Sequence, residues 1–270
     1  MKMKRLFIAA LAVLFISACG SRAYYPSPEE LQEKRERLAK AEAMFQERCK
    51  KAGEFIYRTA ENVEGIFLLK LRPGGAGYMN YRDQYKMDDP YGSDFGGDAY
   101  IKSFLRARDE IGWFNTEKPG GYRYADVIDP EDGKRYRYTG REEETWQRDK
   151  RYIRGDMSFV LDRALAPDPA PRYGVTYDDI STREERDYWI AGSSLRVIDL
   201  KTNEVVAERI GYMFDPGQGS DSGGRSPWLS AADYACPRFG PEKVGVPRFF
   251  YQASQTRTFV EKVLHPIKEK

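Results

Sequence analysis

Apolar positions recur at two spacings along this chain, and each predicts a different kind of element. From residue 28 to 49, Leu31, Leu38, Ala41, Phe45 and Cys49 form one narrow apolar stripe at helical spacing among charged residues. Ser27 is a suitable N-cap, Pro28 fits the first helical position and Glu30 completes a capping box. Gly53 is a suitable stop. Lys34 interrupts the stripe, which is too short for a coiled coil. Residues 55–59 and 66–72 read as strands separated by a polar stretch, 60–65. Ile66-Phe67-Leu68-Leu69 is apolar on both faces, which points to a central strand. Pro73-Gly74-Gly75 ends it, and a long loop rich in Gly, Asp and Tyr runs on to about Phe95. Residues 98–112 suit a short helix.

The second half reads as hairpins. Residues 122–129 and 135–139 flank the turn Pro130-Glu131-Asp132-Gly133. Residues 159–165 suit another strand. Pro167, Pro169 and Pro171 then make a stiff connector, a candidate subdomain boundary near 166–171. Tyr173, Val175 and Tyr177 repeat at period two. The clearest hairpin joins 188–200 to 204–214 through Lys201-Thr202-Asn203, with Leu195 and Val197 on one face and Arg196 and Ile198 on the other. Residues 215–227 are too rich in Gly and Ser to be expected to pack. Residues 249–264 read as one closing helix, with Phe259 and Val263 inward. The expected fold class is α+β: an antiparallel β-sheet with N-terminal and C-terminal helices packed against it.

The first residues carry a different signal. Lys2, Lys4 and Arg5 precede an uncharged run of eleven residues, 6–16, closed by Ile16-Ser17-Ala18-Cys19. Eleven helical residues reach about 16 Å, whereas a bilayer core needs about 30 Å, so the run is too short to span. It has the flanks and length of a secretory signal. Ile16-Ser17-Ala18-Cys19 resembles the lipobox of bacterial lipoproteins, where signal peptidase II cuts and a lipid joins the cysteine. The resemblance implies a signal peptide over 1–18, a lipidated tether over 19–27 starting at Cys19, and a single periplasmic α+β domain over 28–270. It also implies a diacylglyceryl group on Cys19, commonly with a further acyl chain, and two or more chains anchor stably. Gly20 rather than aspartate follows the cysteine, which in that family favours the outer membrane on its periplasmic side.

Charge changes the picture once the signal is set aside. Residues 1–18 hold three basic and no acidic residues, so the remaining 252 carry 41 Lys+Arg against 42 Asp+Glu, a formal charge of −1. A global electrostatic case for nucleic acid is therefore absent. The 19 tyrosines, with 24 glycines and 15 prolines, favour strands and turns over a helical bundle. With Cys19 used by lipid, Cys49 and Cys236 are left as a pair in a compartment that permits oxidation, and a disulfide between them is expected.

Candidate chemistry is sparse. His265 is the one histidine and precedes Pro266, so it reads as a surface residue, and no metal site or cofactor is expected. Asp88, Asp89, Asp94 and Asp98 cluster among glycines, but without EF-hand spacing. Asp221-Ser222-Gly223-Gly224 looks like the nucleophile segment of chymotrypsin-like proteases, yet Ser220 stands where Gly usually precedes the Asp, and the histidine lies downstream. Runs such as Glu142-Glu143-Glu144 and Glu184-Glu185 read as solvated, although a paired-carboxylate site cannot be read from linear order. Alternating tyrosine and arginine at Tyr122, Tyr124, Arg135, Tyr136, Arg137 and Tyr138 offers a partner surface, since both types are enriched at interface hot spots. The same tyrosines also suit half-buried strands.

These features favour a non-catalytic, lipid-anchored envelope protein whose periplasmic domain binds another protein. One form of this is an immunity lipoprotein that neutralises a toxin. The alternatives are an envelope hydrolase acting on peptidoglycan or glycan through paired carboxylates, and a carrier of small molecules or lipid. Cells fed labelled palmitate should label the wild type but not Cys19→Ala, and the variant should leave the membrane fraction. Equal fractionation with label in neither protein rules out the anchor.

Overall fold

The Ser27 N-cap closes as a capping box. Glu30 N–H donates to Ser27 Oγ at 3.1 Å, and Ser27 N–H donates to Glu30 Oε2 at 2.7 Å. It opens α1, Pro28–Cys49. The computed structural model describes residues 26–73, 83–92, 96–106, 121–241 and 246–267. The chain divides into two units, Met1–Arg37 and Leu38–Lys270. Cys19, the lipobox, Asp94 and the expected end of a helix at 107–112 lie outside the described residues.

In the second unit, strands β1 (Gly53–Ile56), β3 (Gly65–Leu68), β4 (Tyr124–Ile128), β5 (Arg135–Glu144), β6 (Met157–Leu165), β7 (Tyr173–Asp179), β8 (Ile190–Asp199) and β9 (Glu204–Phe214) form one sheet. Its order is β1-β9-β8-β7-β3-β4-β5-β6, and β10 (Ala235–Cys236) pairs with β9 to make nine strands among the described residues. The fold is α+β, as the patterning predicts. The sheet is mixed rather than antiparallel throughout: β3 runs parallel to both β4 and β7, while the other pairs in this sheet are antiparallel. A parallel neighbour needs a crossover. On the path from β3 to β4, α2 (Asp98–Leu105) lies against the sheet, burying Tyr100, Ile101, Phe104 and Leu105.

One face of the sheet is apolar. Ile66, Leu68, Ala125, Val127, Val175, Tyr177, Leu195 and Val197 pack with α2 and with Phe259, Val260 and Val263 of α7 (Gln255–Val263). The other face is polar over much of its width. Arg137 grips Asp126 through Nε and Nη2 at 2.7 and 3.1 Å, Arg196 pairs with Asp178, and Ser194 Oγ donates to Glu208 at 2.8 Å. At one corner Ala41 and Phe45 of α1 cover this face, Phe45 stacking on Phe214 at 5.6 Å. Cys49, at the end of the helix, is bonded to Cys236 with Cα atoms 5.6 Å apart, so the expected disulfide is present.

Three expectations change. Residues 60–63 are a strand, β2 (Ala60–Val63), because β11 (Leu264–Pro266) lies parallel to it as a separate two-stranded sheet. The closing helix is two helices, α6 (Arg248–Gln252) and α7. The Ser254 N–H and hydroxyl both go to the Tyr251 carbonyl, at 3.2 and 3.3 Å, which closes α6 one turn early. The loop after β9 is exposed over 220–224 but ordered at its start, where buried Asp215 accepts from the Gly217 and Gly219 amides at 2.9 and 2.8 Å and from Arg225. A buried carboxylate thus orders a segment whose composition alone suggests none. The proline connector joins β6 to β7 inside the second unit.

The main hairpin turns at 200–203, where Asn203 takes a left-handed φ of 60° and its N–H reaches the Asp199 carbonyl at 2.7 Å. Asp199 is buried beneath Arg172 and Arg58, which donate to Oδ2 at 2.7 and 2.8 Å. The Arg172 hydrogen bonds, more than any other contact, hold its carboxyl below the usual range. A lowered carboxyl stabilises the fold above its unfolded pKa, about 4, and loses that contribution as pH falls through the folded value. Asp199→Asn should lower the urea midpoint at neutral pH and flatten its decline as pH falls below about 4. An unchanged acid decline would show that Asp199 is not its source. Replacing both Cys49 and Cys236 by serine removes a crosslink spanning 187 residues. The loss should approach about 5 kcal/mol, read from the urea midpoint, and an unshifted midpoint would sink this account.

Candidate functional site

The structure sorts the tyrosine–arginine set by strand period. Tyr122 is buried, and its hydroxyl donates to the Leu264 carbonyl at 2.6 Å, so it belongs to the core rather than to a surface. Burial raises its hydroxyl well above the ordinary pKa. Tyr124, Arg135 and Arg137 share the polar face. Arg137 lies 3.7 Å over the Tyr124 ring and, with Arg135 at 3.4 Å, converges on buried Asp126. Tyr136 and Tyr138 point to the opposite face, where Tyr138 packs against the core and Tyr136 is stacked under Arg163 at 3.6 Å. The six residues therefore lie at the base of one three-stranded wing, β4–β5–β6, and are largely engaged with the protein itself.

The wing ends differently. Strands β5 and β6 are joined through α3 (Thr145–Arg148) and a loop, 149–156. Glu144 accepts the Gly155 N–H at 2.7 Å, and the Thr145 N–H reaches the Asp156 carbonyl at 2.8 Å, which closes the tip. Trp146 sits between Lys150 and Arg154, 3.5 and 4.2 Å from its ring centre. Beside it Ile153 is 82 % exposed, Tyr152 52 % and Met157 51 %. Large apolar side chains, an aromatic anchor and cations thus stand together in solvent.

A second feature lies on the apolar side of β9. A cavity of about 330 Å³ is lined by β1, β9, the segment after Cys236, α6 and α7. Period two along β9 turns Ala207, Arg209 and Gly211 inward. A Cβ at Gly211 would meet the Tyr91 ring at 2.1 Å, so glycine is what lets Tyr91 lie against the strand. Tyr91 donates to the Pro237 carbonyl at 3.3 Å, and burial pushes its hydroxyl up to about 12. Arg209 lies 5.2 Å from the Tyr91 ring centre and 5.9 Å from that of Phe259. It is 3 % exposed, and its Nε and Nη2 have no hydrogen-bond partner. Its cross-strand neighbour Glu54 turns instead to Lys262, at 2.7 Å. Comparisons with protein families, curated proteins and solved structures find no match.

Several of the other sequence candidates have structural partners. Among the described residues no group of three or more His, Cys, Asp or Glu is placed to hold a metal. Asp88 faces Lys70 at 3.5 Å, and buried Asp89 faces Arg72 at 3.0 Å, with burial raising its carboxyl against the pull of that arginine. Glu142 pairs with Arg106 at 2.9 Å and Glu143 with Arg141 at 2.5 Å. Glu185 is buried, caps α4 (Arg183–Asp187) with Thr182 and pairs with Arg48. His265 Nε2 lies 3.2 Å from the Lys262 carbonyl. Glu54 is the one carboxylate among the described residues lining the cavity, so the cavity holds no facing acid pair there. Sequence reasoning missed Arg209 and the tip. For Arg209 a signal existed: a charged residue at an inward strand position between two small residues, Ala207 and Gly211.

Proposed function

We propose that the chain is a lipid-anchored cell-envelope protein whose folded domain binds another protein through the tip of the β4–β6 wing. The observation that carries this reading is the exposed group Tyr152, Ile153 and Met157 beside Trp146 and its two cations. Solvent-exposed apolar side chains of this size, rimmed by charge, mark interaction sites. Tryptophan, tyrosine and arginine dominate binding hot spots. The tip carries Arg148, Lys150, Arg151 and Arg154 against Asp149 and Asp156, so it favours a partner with an acidic surface.

The outer edge of β6 adds to this, since β6 is the last strand of the sheet order among the described residues. An unpaired edge can accept a strand from another chain. The disulfide agrees with an oxidising compartment. Among the described residues no helix is long and apolar enough to cross a membrane, so attachment in this reading rests on the lipid at Cys19. Neutralising an incoming toxin is one task that such a tip would suit.

Pull-down of the lipidated protein from a detergent extract of envelopes should recover a stoichiometric partner. Ile153→Asp should weaken that capture about 30-fold, the effect of one hot-spot side chain worth about 2 kcal/mol. Lys201→Glu, on the distant hairpin turn, should leave it unchanged. Equal capture by wild type and Ile153→Asp, or loss with both variants, would overturn the assignment.

A further inference from the structure

Arg209 is chemically out of place. A guanidinium removed from water needs an opposite charge or acceptors for its N–H groups. At other buried arginines an acid lies within reach, Asp89 of Arg72 at 3.0 Å and Glu261 of Arg257 at 3.5 Å. Arg137 and Arg172 each present Nε and Nη2 to a buried carboxylate, Asp126 and Asp199. Arg209 has the same two atoms buried with no partner, although Glu54 stands directly across from it in the β1–β9 register. Glu54 is held away by Lys262. The aromatic rings on either side of Arg209 supply only a weak substitute for an anion.

The surroundings have the form of a binding site. Arg209 lines the cavity of about 330 Å³, within the size range of small-molecule pockets. Tyr91, Phe239 and Tyr251 give it buried aromatic walls. The Tyr251 hydroxyl and Gln255 Oε1 are also buried without hydrogen-bond partners. Three side chains on separate elements, β9, α6 and α7, therefore bring buried polar atoms without hydrogen-bond partners to one cavity.

We infer that this cavity binds a small organic carboxylate whose anionic end offsets Arg209 and whose apolar body lies against the aromatic walls. The charges among the described lining residues favour a monoanion. Glu54 and Lys262 neutralise one another and Arg238 is exposed at the rim, which leaves Arg209 as the buried charge there without an acid in contact, and Glu54 repels a dianion such as phosphate. Carboxylate of this kind can come from a free acid or from the C-terminus of a peptide. This site is separate from the wing tip, so its test leaves the partner-binding reading untouched.

Full-length lipidated protein in detergent micelles, with empty micelles as the blank, would be titrated calorimetrically with phenylacetate, phenylacetamide, inorganic phosphate, N-acetyl-Gly-Phe and the C-terminal amide of N-acetyl-Gly-Phe. Phenylacetate or N-acetyl-Gly-Phe should bind one to one, and at least tenfold more tightly than its uncharged amide. Preference for phenylacetate identifies a free acid, and preference for N-acetyl-Gly-Phe a peptide end. Arg209→Met should weaken binding at least tenfold. It should still fold, because an apolar side chain replaces an unpaired buried charge. Tyr251→Phe, which keeps the ring, should weaken binding about threefold. The inference fails if the wild type binds neither carboxylate, if the amides bind equally well, if phosphate binds more tightly, or if folded Arg209→Met binds as the wild type does.

Discussion

Strand β3 is the constraint on which the rest of this fold depends. It is four residues long, yet it hydrogen-bonds on both edges to strands running in its own direction. No tight turn can make either pairing, so the chain must leave the sheet and return. The excursion supplies α2, which covers the apolar face, and the segment 83–92, which carries Tyr91 beside β9. Without a parallel centre there would be no reason for Tyr91 to pass there, and Arg209 would lose one of its aromatic walls. The cavity is thus a product of topology as much as of local sequence.

Charge is managed differently on the two sides of the sheet. On the polar face and at the hairpin turn, buried Asp126 and Asp199 are each matched by arginines that remain partly in water. Such pairs fix register as well as neutralise charge. On the apolar side the pattern is inverted, with a buried arginine and no acid in contact. The contrast within one sheet makes Arg209 stand out more than its burial alone would.

The parts of the fold that follow from one strand, one helix or one turn were legible before the structure. The Ser27–Glu30 capping box, the β8–β9 hairpin with its turn at Lys201, Thr202 and Asn203, the central position of β3 and the Cys49–Cys236 bridge all came from local pattern or from compartment. The parts decided by distant neighbours were not legible. Strand β2 exists because β11 lies beside it. The parallel direction of β3 depends on partners 59 and more residues away. The segment after β9 is ordered by Asp215, whose role as a hub cannot be inferred from a stretch of Gly and Ser. Of the tyrosine–arginine set, alternation correctly separated the faces, but it could not reveal that Asp126 would absorb the arginines.

The pairing of the earliest strands has a consequence for how the chain comes into being. Strand β1 is completed by β9, β2 by β11, and Cys49 by Cys236. A polypeptide is made from its N-terminus, so each early element emerges long before its mate. Strands β1 and β2 cannot complete their pairing until β9 and β11 have been made. The sequential antiparallel pairs β4–β5–β6 and β7–β8–β9, by contrast, have their partners close in the chain. That order leaves β1 and β2 as the segments that a chaperone would hold longest.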